Sequence, residues 1–272
     1  MAIQSGLDVV HSELDVVQRG KGDPVLLIHG TGATSDFWGE AADRLAQYCR
    51  VVTYDRRGTG RSSARPSGHH DLHAEDAAEI IRRLGLGPMT IVGWSMGGIV
   101  ALYLAHRHPE LVRSLVLQEA PLYARHDYSL DILRGFAPVI ALSKLGMKSR
   151  AAERFNRWTY SSGGTGYDQW PDAWKEATHR NAEAICTEID IGTGEQVLTP
   201  SQVREIKHPV LGLLGEVSQP YYRRAMVRIG KLLPQLQVKE IPKGNHAMHI
   251  DGEAAWTEAV VGEGLPPTAS QV

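Results

Sequence analysis

A chain of 272 residues whose 29 basic and 31 acidic side chains are dispersed to a net charge of −2 has no basic stripe to hold a phosphate backbone or an anionic bilayer, so nucleic acid and membrane surfaces are excluded as expected partners. A composition 42% hydrophobic and 22% charged is that of an ordinary globular protein long enough for a sizeable core. No segment approaches the roughly 20 apolar residues of a membrane span, and residues 1–10 lack the order of a signal peptide, so the expected compartment is the cytoplasm.

In chain order, the runs at 7–10 and 14–17 predict an antiparallel hairpin at the edge of a sheet. Short apolar runs rich in β-branched residues follow at 25–28, 51–54, 90–92, 114–117 and 210–214, with a last strand-like segment at 237–241; such runs predict strands buried on both faces. Between them lie helix-like stretches at 37–47, 72–84, 97–108 and 221–233. Strand and helix alternating in this way predict a mostly parallel sheet flanked by helices, an α/β class fold. From 122 to 202 the rhythm changes to helical patterns at 129–144, 149–158 and 171–189 with a glycine break at Gly163-Gly164. This stretch reads as a helical cap inserted into a core made of 1–121 and 203–272, and the tail after Gly264 is expected to fray.

The sequence Gly93-Trp-Ser-Met-Gly97 follows one predicted strand directly and opens a helical run. A nucleophile on a sharp strand-to-helix turn needs small residues two before and two after it, so that neighbouring chain can approach, and the helix start supplies amides and a positive dipole end for a developing oxyanion. Ser95 is therefore the candidate nucleophile. A serine also needs a general base within hydrogen-bond reach. Of the 12 histidines, His246 in Ile241-Pro-Lys-Gly-Asn-His246 is the one that follows a late strand in a glycine-bearing loop. His249 lies three residues on, and His69, His70 and His73 form a second cluster, but neither group has the carboxylates or cysteines of a metal site, so no metal is expected. Cys49 and Cys186 fit no metal spacing and read as small buried residues rather than a disulfide.

On these motifs the chain resembles the α/β-hydrolase superfamily from about Val25 to Asp251. The resemblance implies that His29-Gly30-Thr31-Gly32 is the oxyanion loop, with the amides of Thr31 and Met96 binding the oxyanion and no cofactor required. It implies a structural loop at Asp55-Arg-Arg-Gly58-Thr-Gly60-Arg-Ser62, with Asp55 and His29 bracing rather than reacting. Most of the family has an aspartate after the strand that follows the cap; here that position is Ser218, in Leu214-Gly215-Glu-Val-Ser218-Gln-Pro220. Glu119 is the alternative acid: it ends the strand after the nucleophile's helix, which should bring it to the same sheet edge as Ser95. Gln118-Glu119-Ala120-Pro121 resembles the branch with the acid at that place, as in zearalenone-lactonase-like hydrolases. Glu216 is the rival.

Any one of the cap residues Trp158, Tyr160, Trp170 and Trp174, with Phe136 and Met147, reads first as packing within the cap, but together they offer apolar surface that could cover a site at the strand ends and favour an apolar acyl or ring substrate over a sugar or phosphate. Trp158 and Tyr160, with Trp94, Gly30 and Gly32, are the expected substrate contacts. The sequence thus predicts a serine hydrolase of a small apolar ester or lactone working through an acyl-enzyme. A carbon–carbon bond hydrolase, a perhydrolase and a non-catalytic ligand receptor on the same scaffold stay open, as does a homodimer.

Overall fold

The computed structural model describes residues 13–122, 129–163, 165–192 and 198–265. Among these residues seven strands form one sheet in the order β1-β3-β2-β4-β5-β6-β7: β1 (Val16–Arg19), β2 (Pro24–Ile28), β3 (Arg50–Tyr54), β4 (Met89–Trp94), β5 (Val112–Gln118), β6 (Val210–Gly215) and β7 (Leu236–Ile241). β1 runs antiparallel to β3 and all other pairings are parallel. The run at 7–10 lies outside the described residues; of its expected partner at 14–17, Val16 and Val17 open β1, which continues to Arg19 and takes the sheet edge against β3.

The apolar strands are legible because a parallel sheet is covered on both faces, and alternate side chains serve opposite sides. Leu26 and Ile28 of β2 enter one core with α2 (His70–Leu84), α3 (Met96–Arg107) and α9 (Pro220–Leu232). Val25 and Leu27 enter the other with α1 (Gly39–Leu45), α10 (Met248–Asp251) and α11 (Glu253–Ala259). The carboxyl ends of β2, β4 and β5 therefore open at one edge between the two helical layers, where α/β sheets form their sites.

Helices α4 (Leu130–Lys144), α5 (Lys148–Thr159), α6 (Asp172–Arg180) and α7 (Ala182–Gly192) stand between β5 and β6 and bury a third cluster that includes Phe136, Phe155, Ile185 and Ile189. The single helical pattern expected at 171–189 is two helices broken at Asn181, whose side chain accepts from the Gly60 amide at 3.1 Å. The chain returns to the core slightly before 203: Leu198 and Val203 join the main cluster around α8 (Pro200–Glu205), capped by Thr199 accepting from the Gln202 amide at 3.3 Å. Cys49 and Cys186 are free and buried. No helix among the described residues is long and apolar enough to cross a membrane.

Candidate active site

Ser95 stands between the end of β4 and the start of α3 with φ 55° and ψ −121°, a conformation a side chain tolerates only where its surroundings impose it. The imposition is close packing. A Cβ at Gly97 would sit 2.1 Å from the carbonyl oxygen of Ile28, and one at Gly93 2.4 Å from that of Gly97. The turn can be this tight only with glycine at both places. The Ser95 amide donates to the Gln118 carbonyl at 2.8 Å, which ties the end of β4 to β5. Helical geometry leaves the Met96 amide, first in α3, without an intrahelical acceptor at the positive end of the dipole.

Glu119 follows β5 directly, in the register neighbouring Ser95, because Trp94 pairs with Gln118 across the two strands. Its backbone is left-handed with φ 47°, and its amide donates to the Leu213 carbonyl of β6 at 3.1 Å. One carboxylate oxygen, Oε1, accepts from the Gly215 amide at 2.9 Å; the other, Oε2, lies 2.7 Å from His246 Nδ1. Glu119 and His246 are both fully buried. A carboxylate only accepts, so Nδ1 carries the proton and a neutral ring offers Nε2 as base. No hydrogen bond joins Ser95 Oγ to His246 among the described residues; catalytic contacts are commonly long before a substrate aligns them.

The loop carrying His246 is braced from beneath. The His246 carbonyl accepts from Trp94 Nε1 at 2.8 Å and from Gln118 Nε2 at 3.0 Å. Gln118 Nε2 also donates to His249 Nδ1 at 2.9 Å, and its Oε1 accepts from Trp256 Nε1 at 2.8 Å. Burial, and secondarily the nearby His246, pushes the His249 pKa down to about 3, so His249 is a neutral acceptor. Two tyrosines flank the imidazole: Tyr222 stacks on it at 4.0 Å between centroids with planes 10° apart, and Tyr160 lies at 5.8 Å.

The loop after β2 is equally fixed. Gly30 faces Ser95, since a Cβ there would lie 2.9 Å from Ser95 Cβ. His29 Nδ1 donates to the Gly30 carbonyl at 2.9 Å, and its Nε2 accepts from the Arg56 amide at 3.0 Å. Desolvation first, and the Arg56 charge second, hold its pKa well below the usual histidine value, which matches this neutral bracing role. Asp55 accepts from the Ser35 and Arg61 amides, each at 2.7 Å, and is structural as well.

Comparison with known proteins decides the family. The model of the alpha/beta hydrolase fold family matches residues 23–253. The chain belongs to the α/β-hydrolase fold family. It is 35% identical to the uncharacterized hydrolase YraK of Bacillus subtilis over 123 residues, a match covering 44% of this chain and 45% of that protein, so it spans under half the length of this relative. It is 27% identical to the 2-(acetamidomethylene)succinate hydrolase of Mesorhizobium japonicum over 90% of this chain and 88% of that protein. A solved esterase from Exiguobacterium antarcticum shares the fold with a TM-score of 0.77 at 21% identity, covering 92% of this chain and 95% of that one.

Within this family fold, Ser218 stands where an aspartate is usual, and among the described residues its hydroxyl makes no hydrogen bond to His246; Glu216 is exposed and accepts from the Lys243 amide at 2.8 Å. Of the expected substrate contacts, Gly30 and Tyr160 lie beside Ser95 and His246. Trp94, fully buried, has its ring 5.8 Å from that of His246 and donates to the His246 carbonyl, and Trp158 packs against Phe136 at 5.0 Å and Tyr221 at 6.4 Å. Gly32, with φ +81°, packs beneath the cap, where a Cβ would meet Asn156 Oδ1 at 2.8 Å. Trp170 and Trp174 pack on Phe37 at 5.2 Å and 4.3 Å. Sequence reasoning missed Gln118, Tyr222 and Glu188. A polar residue ending a buried apolar strand marks Gln118, and the aromatic pair opening the helix after β6 marks Tyr222. Nothing local marks Glu188.

Proposed function

We propose that this protein hydrolyses a carboxylic ester or lactone through an acyl-enzyme on Ser95. The observation that carries the reading is the buried pair of Glu119 Oε2 and His246 Nδ1 at 2.7 Å, set beside a serine held in a strained elbow. In this mechanism His246 Nε2 removes the Ser95 proton as Oγ attacks the carbonyl carbon. The amides of Thr31 and Met96 hold the tetrahedral oxyanion, and His246 returns the proton to the leaving alkoxide. Water activated by the same imidazole then attacks the acyl-enzyme and releases the acid and Ser95. Glu119 stabilises the imidazolium formed in each half. No step calls for a metal or cofactor.

Tyr160, Tyr222 and the apolar residues at the strand ends favour an apolar acyl or ring portion. The placement of Glu119, shared with the zearalenone-lactonase-like branch that the sequence resembles, supports cyclic esters among the substrates. The test combines fluorophosphonate labelling with turnover of linear p-nitrophenyl esters, small lactones and macrolactones, and it includes 2-(acetamidomethylene)succinate, named in one relative. Wild type is expected to label at Ser95 and to turn over at least one ester or lactone. Ser95→Ala should lose label and several decades of turnover. A folded Ser95→Ala variant retaining a tenth of the activity sinks the covalent mechanism, and turnover of the succinate substrate alone overturns the ester assignment.

A further inference from the structure

A buried ion pair joins the cap to the loop that bears the oxyanion amide. Arg56, fully buried, places Nη1 at 2.7 Å from Glu188 Oε1 and Nη2 at 3.2 Å from Glu188 Oε2. Glu188 belongs to α7 of the cap and Arg56 to the loop after β3. The other donors of the guanidinium go to the oxyanion loop and its surroundings: Nε to the His29 carbonyl at 3.0 Å, Nη2 to the Gly30 carbonyl at 3.1 Å and Nη1 towards His73 Nδ1 at 3.4 Å. Glu188 completes the arrangement from its own side, because its Oε2 accepts from the Thr31 hydroxyl at 2.6 Å. All three consecutive residues of the loop, His29, Gly30 and Thr31, are thus tied to one ion pair, and Gly32 is covered by Asn156 and Ile185 of the cap.

We propose that Glu188, through Arg56 and the Thr31 hydroxyl, is a positioning residue that aims the Thr31 amide at the oxyanion, so that the cap builds part of the catalytic machinery as well as covering it. The inference rests on the acyl-enzyme reading of Ser95. A buried pair is a poor device for stability alone, since apolar residues of similar volume often serve as well or better. What it does supply is direction: a bidentate fork fixes the guanidinium, whose remaining donors fix two successive carbonyls. A donor misplaced by about 1 Å forfeits much of its hold on the transition state while binding the ground-state substrate almost unchanged.

The experiment uses the full chain and compares wild type, Glu188→Gln, the double variant Arg56→Met/Glu188→Met, and Glu183→Gln as a control on the same helix. Each is measured for kcat and KM on the best ester, for the rate of Ser95 phosphonylation by a fluorophosphonate, and for melting temperature. The double variant is expected to melt close to wild type, yet to lose about 100-fold in kcat and in phosphonylation rate with KM within about threefold. Glu188→Gln should lose kcat as well, and Glu183→Gln should lose nothing. A folded double variant with kcat within about threefold of wild type overturns the proposal, as does a loss that falls on KM alone. If the double variant does not fold, Thr31→Ser and Thr31→Val decide: serine keeps the tether and should keep kcat, valine should lose about tenfold, and equal values overturn the proposal. Wild type without Ser95-dependent turnover or label removes the parent reading and this one together; turnover in wild type with unaffected variants removes only this one.

Discussion

Glu119 meets His246 with one carboxylate oxygen and the Gly215 amide with the other, so the acid is fixed between the histidine loop and the end of β6. This two-sided hold makes Glu119→Gln an informative change. The glutamine can keep the Gly215 amide as donor only by turning its own NH2 towards His246, where it opposes the Nδ1 proton. The imidazole must then carry its proton on Nε2, the wrong tautomer for a base. Turnover should fall by roughly three to four decades with the fold retained. Glu216→Gln, altering an exposed side chain on the Lys243 amide, should fall less than about threefold. Steady-state kinetics with circular dichroism check both; a larger loss at Glu216 than at Glu119 reverses the assignment.

The strands from 25 to 118 are legible because burial on both faces forces continuous apolar runs, and the elbow because its glycines, set by contact with the motif's own backbone at Gly93 and with the Ile28 carbonyl at Gly97, sit at fixed spacing about the serine. Glu119 is reached from sequence through parallel-strand reasoning, which places it beside Ser95, together with the resemblance carried by Gln118-Glu119-Ala120-Pro121. The break at Asn181 was not legible, since it depends on the Gly60 amide 121 residues away. Trp158 illustrates a second limit: an aromatic on a cap helix shows the same spacing whether it faces Phe136 or a substrate. The Arg56 and Glu188 pair lies 132 residues apart in the chain, and neither local pattern signals the other.

Trp94 and Gln118 both donate to the His246 carbonyl. Trp94→Phe removes one donor and keeps most of the ring volume, so the loop stays in place with looser aim. The expected result is a drop of about tenfold in kcat with KM little changed. Gln118→Leu should cost more stability, about 1–3 kcal/mol, because it strands the Trp256 indole N–H in the core. Urea denaturation and steady-state kinetics on the two variants separate the effects, and an unchanged kcat in Trp94→Phe shows that Gln118 alone suffices.

The elbow glycine Gly97 should tolerate no side chain. A Cβ 2.1 Å from the Ile28 carbonyl oxygen can be relieved only by moving β2 or α3, both in the core. Gly97→Ala is expected to lose about 3 kcal/mol or more, or to be insoluble. Gly262→Ala is the matched control, because a Cβ there meets nothing within 4 Å, and it should be neutral or gain about 0.4–1 kcal/mol. Equal urea midpoints for the two variants contradict the packing argument.

Three buried histidines should make the protein sensitive to acid in a defined range. Burial is the largest influence on His29, His73 and His249; it holds the first two well below the ordinary value and His249 at about 3. In the unfolded chain each returns to about 6.5, so between these values the unfolded state binds more protons than the folded one. Stability from this source is therefore complete above pH 6.5 and is lost as pH falls towards 3. Each histidine adds up to about 1.4 kcal/mol per pH unit to the slope. Urea unfolding at pH 7, 6, 5 and 4 should give a midpoint that falls continuously across the series. His249→Gln, which can still accept from Gln118, should reduce that slope by about one proton. A variant slope equal to that of wild type would mean that His249 gains its proton without unfolding, and a midpoint that is flat from pH 7 to 5 would remove the buried neutral histidines as the cause of acid lability.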